Sequence, residues 1–229
     1  MTDTKAAARY VGTFFIFSNV VFIAGAVIFL EPLIGAPDYL AIVADNRASI
    51  VLGSLLEIVN AFAYLGIAVF MFPILKRRFE SLALGYVAIR TLEFAMQILA
   101  SLVPLLLLGL SMQMRVASDS PSGVAALAAM LLDQRMWAFH MISLTLGVGA
   151  ILFYYMLLKT KLVPALISVW GLLGALIVLI NMLAEMFGFR LPNLGYVMLA
   201  NELFLGGWLI IKGFRSPALA DLIKGSART

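Results

Sequence analysis

Cysteine is absent from this chain, and with it go disulfides, thiolate zinc sites, iron–sulfur clusters and cysteine nucleophiles. Histidine occurs once, as His140. A bis-histidine haem, an HExxH protease and a multi-histidine metal site within one chain are therefore excluded. Charge is also scarce: 12% of the 229 residues are charged and 63% are hydrophobic, with a mean hydropathy of +1.06. Soluble domains hold about 25% charged and about 45–50% apolar residues. No phosphate-binding glycine loop, dinucleotide fingerprint or serine nucleophile elbow is present. The net charge of +4 does not point to nucleic acid, because the basic residues occur in short caps between apolar runs and form no stripe.

What is present is a set of long apolar runs. Crossing a bilayer as a helix takes about 20 such residues. Six windows qualify: Tyr10–Leu30, Ala48–Phe72, Ser81–Leu110, Met136–Leu158, Leu162–Glu185 and Gly195–Ile211. The expected fold is all-α, an integral membrane six-helix bundle forming a single transmembrane domain over residues 1–229. A signal peptide reading of the first run fits less well, since the run is longer than such segments need. Lys5, Arg9, Lys76, Arg77, Arg78, Lys159, Lys161, Lys212, Arg215, Lys224 and Arg228 fall on one side of the six windows. Arg47, Arg115, Arg135 and Arg190 fall on the other, diluted by Glu31, Asp38, Asp45, Asp119 and Asp133. By the positive-inside rule, both termini are cytoplasmic.

Two outer connections carry structure of their own. Pro37-Asp38 followed by Tyr39, Leu40, Ile42 and Val43 predicts a short interfacial helix. Ser118 to Gly123 is a turn cluster, and Val124–Leu132 reads as helix leading toward the fourth span.

The polar residues inside the apolar runs are the functional candidates. A charge at the bilayer centre costs about 2.5–3.5 kcal/mol on insertion scales, so such groups face a partner, a cavity or a ligand. Glu57, Glu93, Glu185 and Glu202 lie in the windows, with Arg90 as the one arginine among them. At 1.5 Å per residue, Glu57 lies roughly 14 Å from the outer boundary, Arg90 and Asn19 roughly 14 Å from the inner one, and Glu202 roughly 10 Å below the outer one. They share one mid-membrane slab with Glu93. Glu57, Asn60 and Tyr64 recur on one face of the second span; Tyr86, Arg90, Glu93 and Gln97 do so on the third. Asn201 and Glu202 are adjacent on the sixth. These stripes are expected to meet. Glu57, Glu93 and Glu202 against Arg90 then leave two carboxylates to take up protons, bind a cation or face water.

The expected binding group is Glu57, Asn60, Arg90, Glu93, Gln97, Asn201 and Glu202, with His140 and Asn181 at an outer entrance. The bland alternative is that Arg90 and Glu93 neutralise each other and the remaining carboxylates join helices by hydrogen bonds. Twelve methionines raise a copper(I) reading. Apart from Met112 and Met114 they form no tight pair, and methionine is ordinary packing material. No metal or cofactor is expected. The partners are the lipid bilayer and a small solute or ion.

Leu52-Gly53-Ser54-Leu55-Leu56-Glu57, Gly85-Tyr86-Val87-Ala88-Ile89-Arg90-Thr91-Leu92-Glu93, Asn201-Glu202 and Lys212-Gly213-Phe214 occur in this order, with Ala36-Pro37-Asp38-Tyr39-Leu40 in the first outer loop. Together they resemble the bacterial domain-of-unknown-function 4386 family, over roughly residues 6 to 215. The resemblance implies a multi-pass protein of the bacterial inner membrane. It also implies that Glu57, Arg90, Glu93, Asn201 and Glu202 belong to the family pattern. It brings no activity. From the residues, the first functional reading is a buried Glu/Arg site that binds or transports a small solute, proton or cation. The alternatives are a membrane-embedded enzyme acting on a lipid-like or quinone-like molecule through two carboxylates of unequal acidity, and a non-catalytic partner of another membrane protein. No catalytic residue can be assigned.

Overall fold

The computed structural model describes residues 2–116, 121–189, 191–192 and 194–225. Ser118, Asp119 and Ser120 of the turn cluster, together with Arg190 and Arg228, lie outside them. Among the described residues the chain is helical throughout, with no strand: α1 Thr2–Phe22, a π-helical segment Ile23–Leu30, α2 Glu31–Ile34, α3 Tyr39–Asp45, α4 Arg47–Val116, α5 Pro121–Thr160, α6 Ala165–Met186, α7 Gly195–Ile211 and α8 Ser216–Gly225. Four helical stretches, Lys5–Ile34, Arg47–Arg115, Gly123–Thr160 and Ala165–Met186, are long and apolar enough to cross a membrane. Gly195–Ile211 is apolar but shorter. Large apolar side chains such as Leu55, Phe62, Leu84, Leu92, Leu106 and Leu173 are exposed on the outer faces. A surface of this kind is suited to lipid, not water.

α4 is not one rod. Phe79 leaves helical geometry (φ −138°, ψ 62°) directly after Lys76-Arg77-Arg78. The chain doubles back there, as the Phe62–Phe94 ring contact (5.0 Å) and the Arg90–Tyr64 contact (5.4 Å) both straddle Phe79 nearly evenly. Pro104 remains within the helical second limb without a break in φ/ψ. The expected short outer helix is α3, anchored to the far end of α4 by Ser111 Oγ–H donating to Leu40 O and by Arg115 Nη2 donating to Ala41 O at 3.2 Å. α5 begins at Pro121, before the window that opens at Met136: residues 124–132, read from the sequence as helix leading toward the fourth span, are continuous with it.

Neighbours in the chain pack against each other: α1 on the first limb of α4, the second limb on α5, α5 on α6, α6 on α7, and α7 back on α1. Lipid supplies no hydrophobic drive between helices, so close packing and small residues carry much of their association. The α1–α7 crossing illustrates this. A Cβ on Gly12 would come 2.6 Å from Gly206 O, and one on Gly206 would come 2.9 Å from Gly12 O. Only glycine permits that approach.

Among the described residues two large apolar cores result, with a small third cluster of Ala100, Ala138 and Ile142. One, containing Phe15, Met71, Leu75, Tyr86, Phe153, Tyr154 and Leu209, lies toward the basic end; Tyr86 stacks on Phe153 at 5.3 Å. The other, containing Leu30, Val43, Ile50, Val103, Leu107 and Ala128, ties α3 to the opposite end of α4 and α5. The polar residues lie between them.

Candidate functional site: a divided polar layer and its cavity

Each polar stripe arises from helical spacing. On the second limb of α4, Tyr86, Arg90, Glu93, Gln97 and Ser101 fall on one face, and all are buried. Ser54, Glu57 and Asn60 form the buried stripe of the first limb; Asn201 and Glu202 of α7, and Ser18 and Asn19 of α1, are buried as well.

The stripes do not all meet. Glu57 is fully buried and is held by Arg135 of α5, itself only 6% exposed. Arg135 Nη1 donates to Glu57 Oε2 at 3.0 Å and Nη2 to Oε1 at 2.5 Å, a two-pronged pair. Arg135 Nη1 also donates to Ala100 O at 2.6 Å, and the guanidinium lies 4.8 Å from the Phe139 ring. One side chain thus clamps α5 to both limbs of α4. This corrects two sequence expectations. Arg90 is not the only arginine among the buried glutamates, and Arg135 is not a solvated outer base. The reason is the early start of α5, which carries Arg135 into the helix with Ala128, Ala138 and Ile142 on the same buried face.

The second cluster involves Arg90, Glu93 and Glu202. Arg90 Nη1 donates to both Glu93 oxygens at 2.9 Å, and Nε donates to Tyr86 Oη at 3.3 Å. The guanidinium is flanked by the rings of Tyr64 and Tyr86, each at 5.4 Å. Glu202 accepts one hydrogen bond at Oε2, from Asn19 Nδ2 at 3.1 Å. Its Oε1 is buried and has no hydrogen-bond partner among the described residues. With Glu57 balanced by Arg135, the ionised cluster of Arg90, Glu93 and Glu202 carries one excess negative charge. The sequence count of two uncompensated carboxylates becomes one.

A cavity of about 800 Å³ reaches this cluster. Asn19, Asn60, Glu93, Gln97 and Glu202 line its polar part, and Tyr64 joins them. The remaining wall is mainly apolar, with Phe139, Ile142, Leu146, Val178 and Met198 among its residues. Val27, Phe189 and Tyr196 also line it and are exposed, which marks the mouth. The nearby π-helical segment supplies Ile23 and Val27 to the wall; a local change of helical pitch of this kind often accompanies a functional site.

Not every candidate residue takes part. Glu57 and Arg90 do not line the cavity, although Arg90 holds Glu93, which does. Asn201 points elsewhere: its Nδ2 donates to Ile167 O at 3.0 Å and ties α7 to α6. At the end of the bundle away from the Phe79 turn, Asn181 and Glu185 line the cavity, and Asn181 Nδ2 donates to Pro192 O at 2.8 Å. His140 is not among the lining residues. It is buried against Trp137, ring to ring at 5.1 Å, with Nε2 3.9 Å from Glu185 Oε1. Asn19 shares the mid-membrane slab by depth and stands outside the expected binding group; the tertiary fold makes it the partner of Glu202. Among the described residues no group of three or more His, Asp or Glu side chains is arranged to hold a metal ion.

The family described as "Domain of unknown function (DUF4386)" has a model that matches residues 10–213. No curated protein and no solved structure matches the chain.

Proposed function

The chain belongs to the DUF4386 family, which is matched over nearly its whole length, and from that premise we propose that it is a multi-pass protein of a bacterial inner membrane whose cavity binds a small amphipathic cation. α1, the two limbs of α4, α5, α6 and α7 make six crossings in this reading. The excess of Lys and Arg at the Phe79 turn, the 159–161 turn and both termini supports cytoplasmic termini in this reading.

The observation that carries the ligand reading is Glu202. A carboxylate oxygen that is buried, lacks a hydrogen-bond partner and belongs to a cluster with one excess negative charge wants a donor or a cation. The mainly apolar walls suit the hydrocarbon part of such a molecule, and the volume falls within the usual range for small-molecule sites, about 300–1,000 Å³. Asn19, Asn60 and Gln97 supply hydrogen bonds around the charged end. A proton is the smallest competitor for the same oxygen, so binding and proton uptake are alternatives at Glu202, the arrangement that exchange transport needs.

Tetraphenylphosphonium, a lipophilic monovalent cation, is a suitable probe. Equilibrium dialysis of the full chain in non-ionic detergent should detect binding that weakens as pH falls. Glu202→Gln should lower affinity by about tenfold or more, equivalent to about 1.4 kcal/mol, while the protein elutes as a single folded species. Undiminished binding in Glu202→Gln overturns the reading. Uptake of the probe into proteoliposomes under a pH gradient, in excess of that into protein-free liposomes and lost in Glu202→Gln, then separates a transporter from a binding protein.

A further inference from the structure

At the end of the bundle opposite the cavity mouth lies a second concavity, about 860 Å³ in volume. Three stretches far apart in sequence build it: the end of the first limb of α4, the turn between α5 and α6, and the segment from Arg215 into α8. Among the described residues its lining includes five basic ones, Arg77, Arg78, Lys159, Lys161 and Arg215, and no acidic one. Among the described residues none of the five forms an ion pair with a carboxylate.

The walls are fixed. Arg215 N–H donates to Leu162 O at 2.8 Å, joining the segment before α8 to the α5–α6 turn. Phe214 and Leu222 are buried, so α8 is packed down and not trailing. Lys161 holds a left-handed backbone (φ 56°), uncommon for a residue with a side chain. Three of the cations are braced by neighbours: Arg77 Nε donates to Pro73 O at 3.3 Å, the Arg78 guanidinium lies 5.6 Å from the Phe79 ring, and Lys159 Nζ lies 5.7 Å from the Tyr155 ring.

The positive-inside rule explains why this end is basic. It does not require that five cations from three segments surround one concavity, where they repel one another. Lys5, Arg9, Lys76 and Lys212 lie at the same end and outside it. We propose that this cleft binds a phosphate-bearing anion, either the headgroup of an acidic phospholipid or a free phosphate compound. Guanidinium and ammonium groups clustered around a cleft match the several oxygens of phosphate. Pro217, Ala218 and Leu222 give the cleft an apolar side, as a lipid-borne phosphate needs. Basic pockets between membrane helices on the cytoplasmic side are suited to anionic headgroups. The proposal does not depend on the cavity at Glu202.

The test uses the full chain in non-ionic detergent at about 0.15 M salt, where long-range attraction is screened. Dioctanoyl phosphatidylglycerol, dioctanoyl phosphatidylcholine, inorganic phosphate and inorganic pyrophosphate are titrated by calorimetry. Paired variants Lys159→Gln/Lys161→Gln and Arg77→Gln/Arg78→Gln are compared with the control pair Arg9→Gln/Lys212→Gln. The cleft pairs should each weaken anion binding by about tenfold or more, and the control pair should change it little. Phosphatidylglycerol binding with both inorganic anions silent supports the headgroup source; competition by phosphate or pyrophosphate supports the free source. Equal loss in the control pair, equal binding of the phosphatidylcholine, or no anion binding at all overturns the proposal. If a cleft pair fails to fold, Arg215→Gln against Lys212→Gln poses the same question with single changes. Glu202→Gln should leave this binding intact, so the two sites fail separately.

Discussion

Replacing Arg135 by methionine is the sharpest test of how the polar layer is divided. In the native fold Arg135 gives Glu57 two charge-assisted hydrogen bonds, at 3.0 and 2.5 Å, and caps Ala100 O at 2.6 Å. Glu57 is 0% exposed, so the variant leaves a carboxylate with neither water nor counter-ion. Removing one partner of a buried pair costs about 3–5 kcal/mol. Methionine matches much of the arginine stem, so most of that loss reflects the orphaned charge and not a void. Glu57→Leu orphans the guanidinium and should cost a similar amount. The double variant Glu57→Leu/Arg135→Met removes both charges and should recover to within about 1–2 kcal/mol of the native chain, since apolar replacement of a whole buried pair is often neutral. Reversible unfolding by dodecyl sulfate in mixed micelles, followed by circular dichroism, measures all four corners of this cycle. Were Arg90 the sole counter-ion of the buried glutamates, Arg135→Met would be nearly neutral. A loss below about 1 kcal/mol in that variant, or simple additivity in the double, refutes the assignment.

Other consequences follow from the same contacts. Asn19→Leu removes the donor to Glu202 Oε2 and should destabilise the chain by about 1–3 kcal/mol; unfolding in mixed micelles checks this. Gly206→Ala places a methyl group 2.9 Å from Gly12 O and from Ile16 Cγ1, so the α1–α7 crossing must open; the expected loss is about 1–3 kcal/mol, read as a lower unfolding temperature. Arg115→Ala breaks the pair with Asp45, but those side chains are 49% and 67% exposed. Its effect should stay below about 1 kcal/mol, and a larger one would mean that the bond to Ala41 O anchors α3 more firmly than an exposed contact normally does.

The order of apolar runs and basic caps already carried the membrane character, the all-helical class and the short connecting helix at Tyr39–Asp45. These features depend on local composition and on the length a bilayer demands. The shared faces of Asn60 with Tyr64 and of Arg90 with Glu93 and Gln97 were equally legible, because helical periodicity is local information. Arg135 was not. Its place next to Asp133 and Gln134 resembled a loop, and the window rule cut the helix at Met136. Continuing the helical period from Ala128 through Arg135 to Ile142 would have exposed the signal.

Adjacency along one helix was settled by the chain; contact between helices was decided by the fold. Glu57, Glu93 and Glu202 share a depth, but whether a carboxylate at that depth meets an arginine, an amide or an open cavity depends on rotation of each helix about its axis. Close packing at contacts such as Gly12 with Gly206 helps set those rotations, and the resulting arrangement turns Glu57 toward Arg135 while leaving Glu202 Oε1 without a partner beside the cavity.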